Sequence, residues 1–160
     1  MISKTISRFA VALVGCAALM SCTHNNGDIG IWFGTWHVEE ITIDGTVSEA
    51  YNAAPYWFFQ FQSNVVQVKM SLPDHSFLAS VGEWEEKDAH LTLTFPDEVY
   101  VKQLPPGIDA KRPTAMNIEH KSSKEVVLTF TGTDGHAYRY TLRHWTWWPS
   151  RHTQTYFYEH

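Results

Sequence analysis

Ile31-Trp32-Phe33-Gly34-Thr35-Trp36-His37-Val38-Glu39-Glu40-Ile41-Thr42-Ile43-Asp44-Gly45 carries the strongest fold signal in the chain. A glycine two residues before a tryptophan opens a strand that closes at Asp-Gly, and hairpin after hairpin follows. Gly34 permits tight passage of the backbone, and an indole as large as that of Trp36 is buried only where strands wrap it. The pattern predicts a small barrel whose closed end is plugged by Trp36. By itself a Gly-x-Trp also fits an ordinary β core, so the choice rests on the rest of the chain.

From residue 31 onward strand patterns dominate, and no window sustains an apolar period of 3.6. A polar link over 46–55 is long enough to fold over a barrel mouth. Strands are expected over 56–62 and 65–71, joined at Ser63-Asn64, then over 77–86, 90–95, 115–120, 125–131 and 136–145. Alternation puts Trp57, Phe59 and Phe61 on one face, with Val66, Val68 and Met70 in the partner strand. Leu91, Leu93 and Phe95 alternate with Thr92 and Thr94, and Thr133-Asp134-Gly135 carries the strongest hairpin signal. Residues 97–113, which hold Pro105-Pro106-Gly107, are the most irregular part, with a short strand expected over 98–102. The expectation is an all-β fold, an antiparallel up-and-down barrel of about eight strands, or nine with 98–102. An immunoglobulin-type sandwich is disfavoured because there is no Cys-Trp-Cys framework and the hairpins are sequential. Closure also removes edges that so aromatic a sheet would otherwise expose.

The N-terminus reads as a separate element. Residues 1–8 are basic, residues 9–20 form an apolar run too short for a membrane span, and Leu19-Met20-Ser21-Cys22 supplies a cleavage site. That tetrapeptide resembles the bacterial lipobox, which implies that residues 1–21 are a lipoprotein signal peptide and that Cys22 carries acyl chains of the palmitate type. Residues 22–30 then form a lipidated tether. Cys16 lies within the apolar run, so the processed chain has no cysteine pair for an internal disulfide. Thr23 is not the aspartate that resembles an inner-membrane retention signal, which favours an outer-membrane lipoprotein facing the periplasm or the surface. Loss of Lys4 and Arg8 changes 12 basic against 17 acidic residues to 10 against 17, about −7 with histidines neutral. No basic stripe remains to neutralise phosphates, which argues against nucleic acid.

The domain over 31–148 resembles the lipocalin-like lipoproteins of Bacteroidetes-type bacteria. The matching residues are Gly34 and Trp36, the Asp44-Gly45 exit, Phe59-Gln60-Phe61, Gly82-Glu83-Trp84 and Thr141-Leu142-Arg143. The second lipocalin motif, between the sixth and seventh strands, is not recognisable. In lipocalins an arginine of the final strand packs across the first-strand tryptophan. The resemblance therefore implies a closed end built from Gly34, Trp36 and Arg143, with Arg139 as the fallback, and a cation-π contact of roughly 0.5–2 kcal/mol.

Chemistry has few handles. The nine histidines include no His-x-His pair, so no metal site is expected, and no cofactor motif is present. There is no Gly-x-Ser-x-Gly and no phosphate-cradling loop, so no catalytic residue is assigned. A ligand cavity is the more productive reading. If Arg143 lies outside, then Tyr138 and Tyr140 point inward with Trp57, Phe59, Met70 and Trp84, and these six are the candidate ligand-binding residues, although such side chains are more often plain core. The segment 149–160, rich in aromatics like Trp147 and Trp148 before it, is expected to pack on the barrel; its other reading is an exposed surface for a carbohydrate or protein partner. Two functions follow: a lipid-anchored, non-enzymatic barrel binding a small hydrophobic or amphipathic ligand, or an envelope protein- or glycan-interaction module with a filled barrel.

Overall fold

The computed structural model describes residues 30–52 and 56–145. The expected signal peptide, Cys22 and its tether to residue 29 lie outside the described residues, as does the aromatic segment 146–160.

Nine strands run in chain order: β1 (Gly34–Ile43), β2 (Thr46–Val47), β3 (Trp57–Gln62), β4 (Val65–Ser71), β5 (Phe77–Lys87), β6 (His90–Thr94), β7 (Thr114–Lys121), β8 (Glu125–Thr131) and β9 (Ala137–Trp145). From β3 to β9 each strand pairs antiparallel with the next. β1 pairs with β3 on one side and with β9 on the other, which closes an eight-stranded barrel. β2 stands outside the circle as a two-residue flap on the end of β1.

The ninth strand is therefore not the one expected. Residues 98–102 hold a single 3-10 turn, Glu98–Tyr100, because the Asp97 carboxylate accepts a hydrogen bond from the Val99 N–H at 2.9 Å and diverts the backbone from a ladder. The extra strand arises inside the segment read as a polar link. Asp44 and Gly45 both take positive φ, 50° and 79°, the geometry that reverses a chain directly into a hairpin. A one-turn helix, α1 (Glu49–Asn52), follows it.

Alternation then fills the barrel. In β1 the inward set runs Trp36, Val38, then Ile41, and the odd step is absorbed by a bulge at Glu39. A second bulge, at Glu119 in β7, does the same. Both bulged carboxylates reach outward to β9, Glu39 to Arg143 at 2.6 Å and Glu119 to Arg139 at 3.2 Å. Inside, Ile41, Val66, Val68, Leu91, Leu93, Met116, Leu128, Tyr140 and Leu142 have no exposed surface. Their complete burial leaves no water-sized gap against them, so these described side chains pack the barrel at mid-height. Burying each such side chain contributes roughly 1.5–3 kcal/mol relative to leaving it in water.

Candidate functional site

The two ends of the barrel are built differently. At the closed end a 3-10 turn, Gly30–Trp32, swings Trp32 under the strands, where it is 2% exposed. Its ring lies 5.0 Å from Phe61, 6.0 Å from Trp84 and 6.2 Å from Trp36. The Trp32 carbonyl accepts from Trp36 Nε1 at 3.1 Å, and Trp32 Nε1 donates to Glu86 at 2.5 Å. Glu86 also pairs with Lys121, so a chain of polar contacts runs across the rim from the turn to β5 and β7. Burial pushes the Glu86 carboxyl up, but the hydrogen bonds from Lys121 and Trp32 outweigh it and hold it below the ordinary value. Trp32, not foreseen from the sequence, shares the plug with Trp36; its position just before Gly34 was the available signal.

Arg143 does not meet Trp36. It stands opposite His37 on the outer face and pairs there with Glu39 and, at 3.1 Å, with Glu125. The ring on Trp36 is that of His144, its cross-strand partner, at 4.8 Å between centroids. Strand parity explains the change, since Tyr138, Tyr140, Leu142 and His144 share the inward side and Arg143 does not. His144 Nε2 donates to the Phe33 carbonyl at 3.1 Å. Gly34 sits directly beneath: its φ is +112°, and a Cβ there would lie 2.9 Å from His144 Nε2. The guanidinium of Arg139 is likewise outside, with Glu119.

At the open end, residues 101–108 form a strap that crosses from β5 to β9. Ser80, fully buried and inward on β5, donates to the Gln103 carbonyl at 2.7 Å and accepts from the N–H groups of Lys102 at 2.9 Å and Gln103 at 3.0 Å. At the far side Tyr140 donates its hydroxyl to the Pro106 carbonyl. Gly107, with φ +79°, lies flat on Tyr138; a Cβ there would come within 2.5 Å of the ring. The Tyr138 hydroxyl donates to Asp134 at 2.6 Å, and the ring stacks on Phe130 at 5.3 Å.

Of the six expected ligand-binding residues, the structure brings Tyr138 and Tyr140 together beneath the strap. Trp57 and Met70 pair across β3 and β4 near the same end, and Phe59 lies deeper, stacked on Phe61. Trp84 belongs to the other end, with Trp32 and Phe61, and its Nε1 is a buried donor without a partner among the described residues. Ser80 had no signal in the sequence, because its partners are 22 and 23 residues away.

Charge gathers on the rim. His136 Nδ1 donates to Asp44 at 2.7 Å, tying the β1–β2 turn to the β8–β9 turn, and this contact holds the His136 imidazole above its ordinary value. Among the described residues no three His, Cys, Asp or Glu side chains gather as a metal site would need. A surface hollow of about 230 Å³ between the end of β6 and residues 110–112 is smaller than the roughly 300–1,000 Å³ of small-molecule pockets.

No family model and no curated protein matches the chain. Solved structures do. A lipocalin-like protein from Bacteroides uniformis superposes with a TM-score of 0.55 at 19% identity, over 72% of this chain and 100% of that one. The barrel is lipocalin-like. An uncharacterized protein from Bacteroides eggerthii, at 18% identity, gives the same TM-score of 0.55 over 71% of this chain and 99% of its own. At these identities the likeness carries the fold. The lipocalin-like barrel here keeps Gly34 and Trp36 at the closed end, with His144 on the tryptophan.

Proposed function

We propose that this chain is a lipid-anchored, non-enzymatic lipocalin-like protein of the cell envelope that binds a small hydrophobic or amphipathic ligand at the open end. The anchor rests on the lipobox-like Leu19-Met20-Ser21-Cys22 and the basic-then-apolar run before it. The observation that carries the binding reading is the strap: a segment without ladder bonds lies across the mouth, held by the inward hydroxyls of Ser80 and Tyr140. The inward side chains Val68, Leu128 and Leu142 below it are fully buried, and on this reading the ligand takes the place of the strap rather than a deep cavity. An apolar body against Trp57, Met70 and Tyr138, with a hydrogen-bonding head at Ser80 and Tyr140, replaces the partners that residues 102–106 now supply.

Titration of the full chain with a medium-chain fatty acid, followed by tryptophan fluorescence, tests this reading. Saturable change that is lost in Trp57→Phe supports it. The fully buried interior favours a second reading, an envelope contact module for protein or glycan. Native mass spectrometry of protein purified from its host separates the two: co-purified lipid-like mass supports the first, and a ligand-free chain with a bound envelope protein supports the second.

A further inference from the structure

The outer surface of an up-and-down barrel faces water, and most outward positions here obey: Thr35, Gln60, Gln67, Glu83, Thr92 and Asn117 are polar. One sector departs from this. His37 on β1, Phe58 on β3 and Trp145 on β9 form a ring cluster on the outside, with His37 5.1 Å from Phe58 and Trp145 5.7 Å from Phe58. Tyr56 joins at 5.7 Å from His37, and Phe77 extends the cluster to β5, 6.2 Å from Phe58. Phe58 is only 6% exposed although it points away from the core, while Phe77 at the margin is 54% exposed. Burial also lowers the His37 imidazole below its ordinary value, as a ring shielded from water requires.

We propose that this sector is the docking surface for the chain's own C-terminal segment, residues 146–160. Three observations select that occupant. The last strand ends at Trp145, itself a member of the cluster, so the segment starts on the surface it would cover. Its sequence supplies Trp147, Trp148, Tyr156, Phe157 and Tyr158, and aromatic pairs gain about 0.5–1.5 kcal/mol beyond area burial. Its reach is ample: 15 residues extend to about 50 Å, whereas the four strand spacings from β9 to β5 span about 19 Å. A segment joined to the edge of the surface acts at an effective concentration of order millimolar, which a second copy does not match at ordinary protein concentration.

Photo-crosslinking tests the assignment in the full chain. Benzoylphenylalanine replaces Phe77, at the exposed margin, and the crosslinked peptides are mapped by mass spectrometry. The proposal expects a crosslink at monomer mass into residues 146–160, with yield falling about tenfold when Tyr156, Phe157 and Tyr158 are together changed to Ser. A crosslink at dimer mass overturns it in favour of a second copy. Crosslinks that avoid residues 146–160, or a yield indifferent to the triple change, overturn it as well.

Discussion

Ser80→Ala removes one hydroxyl and almost no volume, and the structure sets its consequence. The Oγ holds three backbone groups of the strap: it donates to the Gln103 carbonyl at 2.7 Å and accepts from Lys102 and Gln103 at 2.9 and 3.0 Å. Two responses compete. With the strap still closed, each abandoned backbone group costs about 1–3 kcal/mol, up to several kcal/mol in all. With the strap lifted, Lys102 and Gln103, already exposed on their other side, exchange the hydroxyl for water, and the loss is the net value of the bonds, about 2 kcal/mol. The smaller loss wins, so the variant responds by opening locally. At 1.4 kcal/mol per factor of ten, amide exchange at Lys102 and Gln103 rises about 30-fold. Melting temperature falls by no more than about 8 °C, taking roughly 4 °C per kcal/mol. Hydrogen exchange resolved by residue, with Ser76→Ala as an exposed-hydroxyl control expected within about 0.5 kcal/mol of the parent, reads both quantities. Unchanged exchange at Lys102 and Gln103 would mean that the hydroxyl does not hold the strap.

Gly107→Ala forces a methyl into the Tyr138 ring at a positive φ, so the strap loosens and medium-chain fatty acid binds more tightly, by roughly the factor by which the open fraction grows; weaker binding in a fluorescence titration contradicts this. At the closed end His144→Ala costs more stability than Arg143→Gln, because the first uncovers Trp36 and the second breaks exposed ion pairs worth about 0.2–1 kcal/mol each; denaturant midpoints that rank them the other way restore the cation-π expectation. The histidines give stability two opposed slopes. Asp44 raises the His136 value above 6.5, so their contact contributes fully below 6.5 and is lost as pH rises through the raised value, and His136→Gln removes that alkaline loss. Burial lowers His37, so protonation destabilises the fold as pH falls below 6.5 towards the lowered value, and His37→Phe flattens that limb in melting scans across pH. Asp44, held below 3.8 by the Ala137 N–H first and by His136 second, keeps its contribution above 3.8 and loses it as pH falls through its own lowered value.

Much of the barrel was legible because a β sheet writes its faces into alternate residues. Trp57, Phe59, Phe61 and Tyr138, Tyr140, Leu142 name the inside directly, and even the bulge is visible in the odd step from Val38 to Ile41. The closed end was half legible. Gly34 and Trp36 mark it, but a resemblance drew attention to Arg143, whereas alternation along β9 points to His144. Trp32 lies outside any strand, so no periodicity announces it. The strap was legible only as irregularity: Pro105-Pro106-Gly107 excludes a strand, yet nothing local says that Ser80 and Tyr140 will hold those residues over the mouth. The outer aromatic sector was equally hidden, because Tyr56 and Phe58 alternate onto the same side as Gln60 and Gln62, and only β1, β5 and β9 place His37, Phe77 and Trp145 beside them.

Exchange of strap for ligand is measured directly by amide exchange across residues 101–108 with and without saturating medium-chain fatty acid. Lys102 and Gln103 are expected to lose protection when the ligand binds, while the amides of β3, β4 and β9 gain it. Saturable binding that leaves the strap amides as protected as before contradicts that exchange.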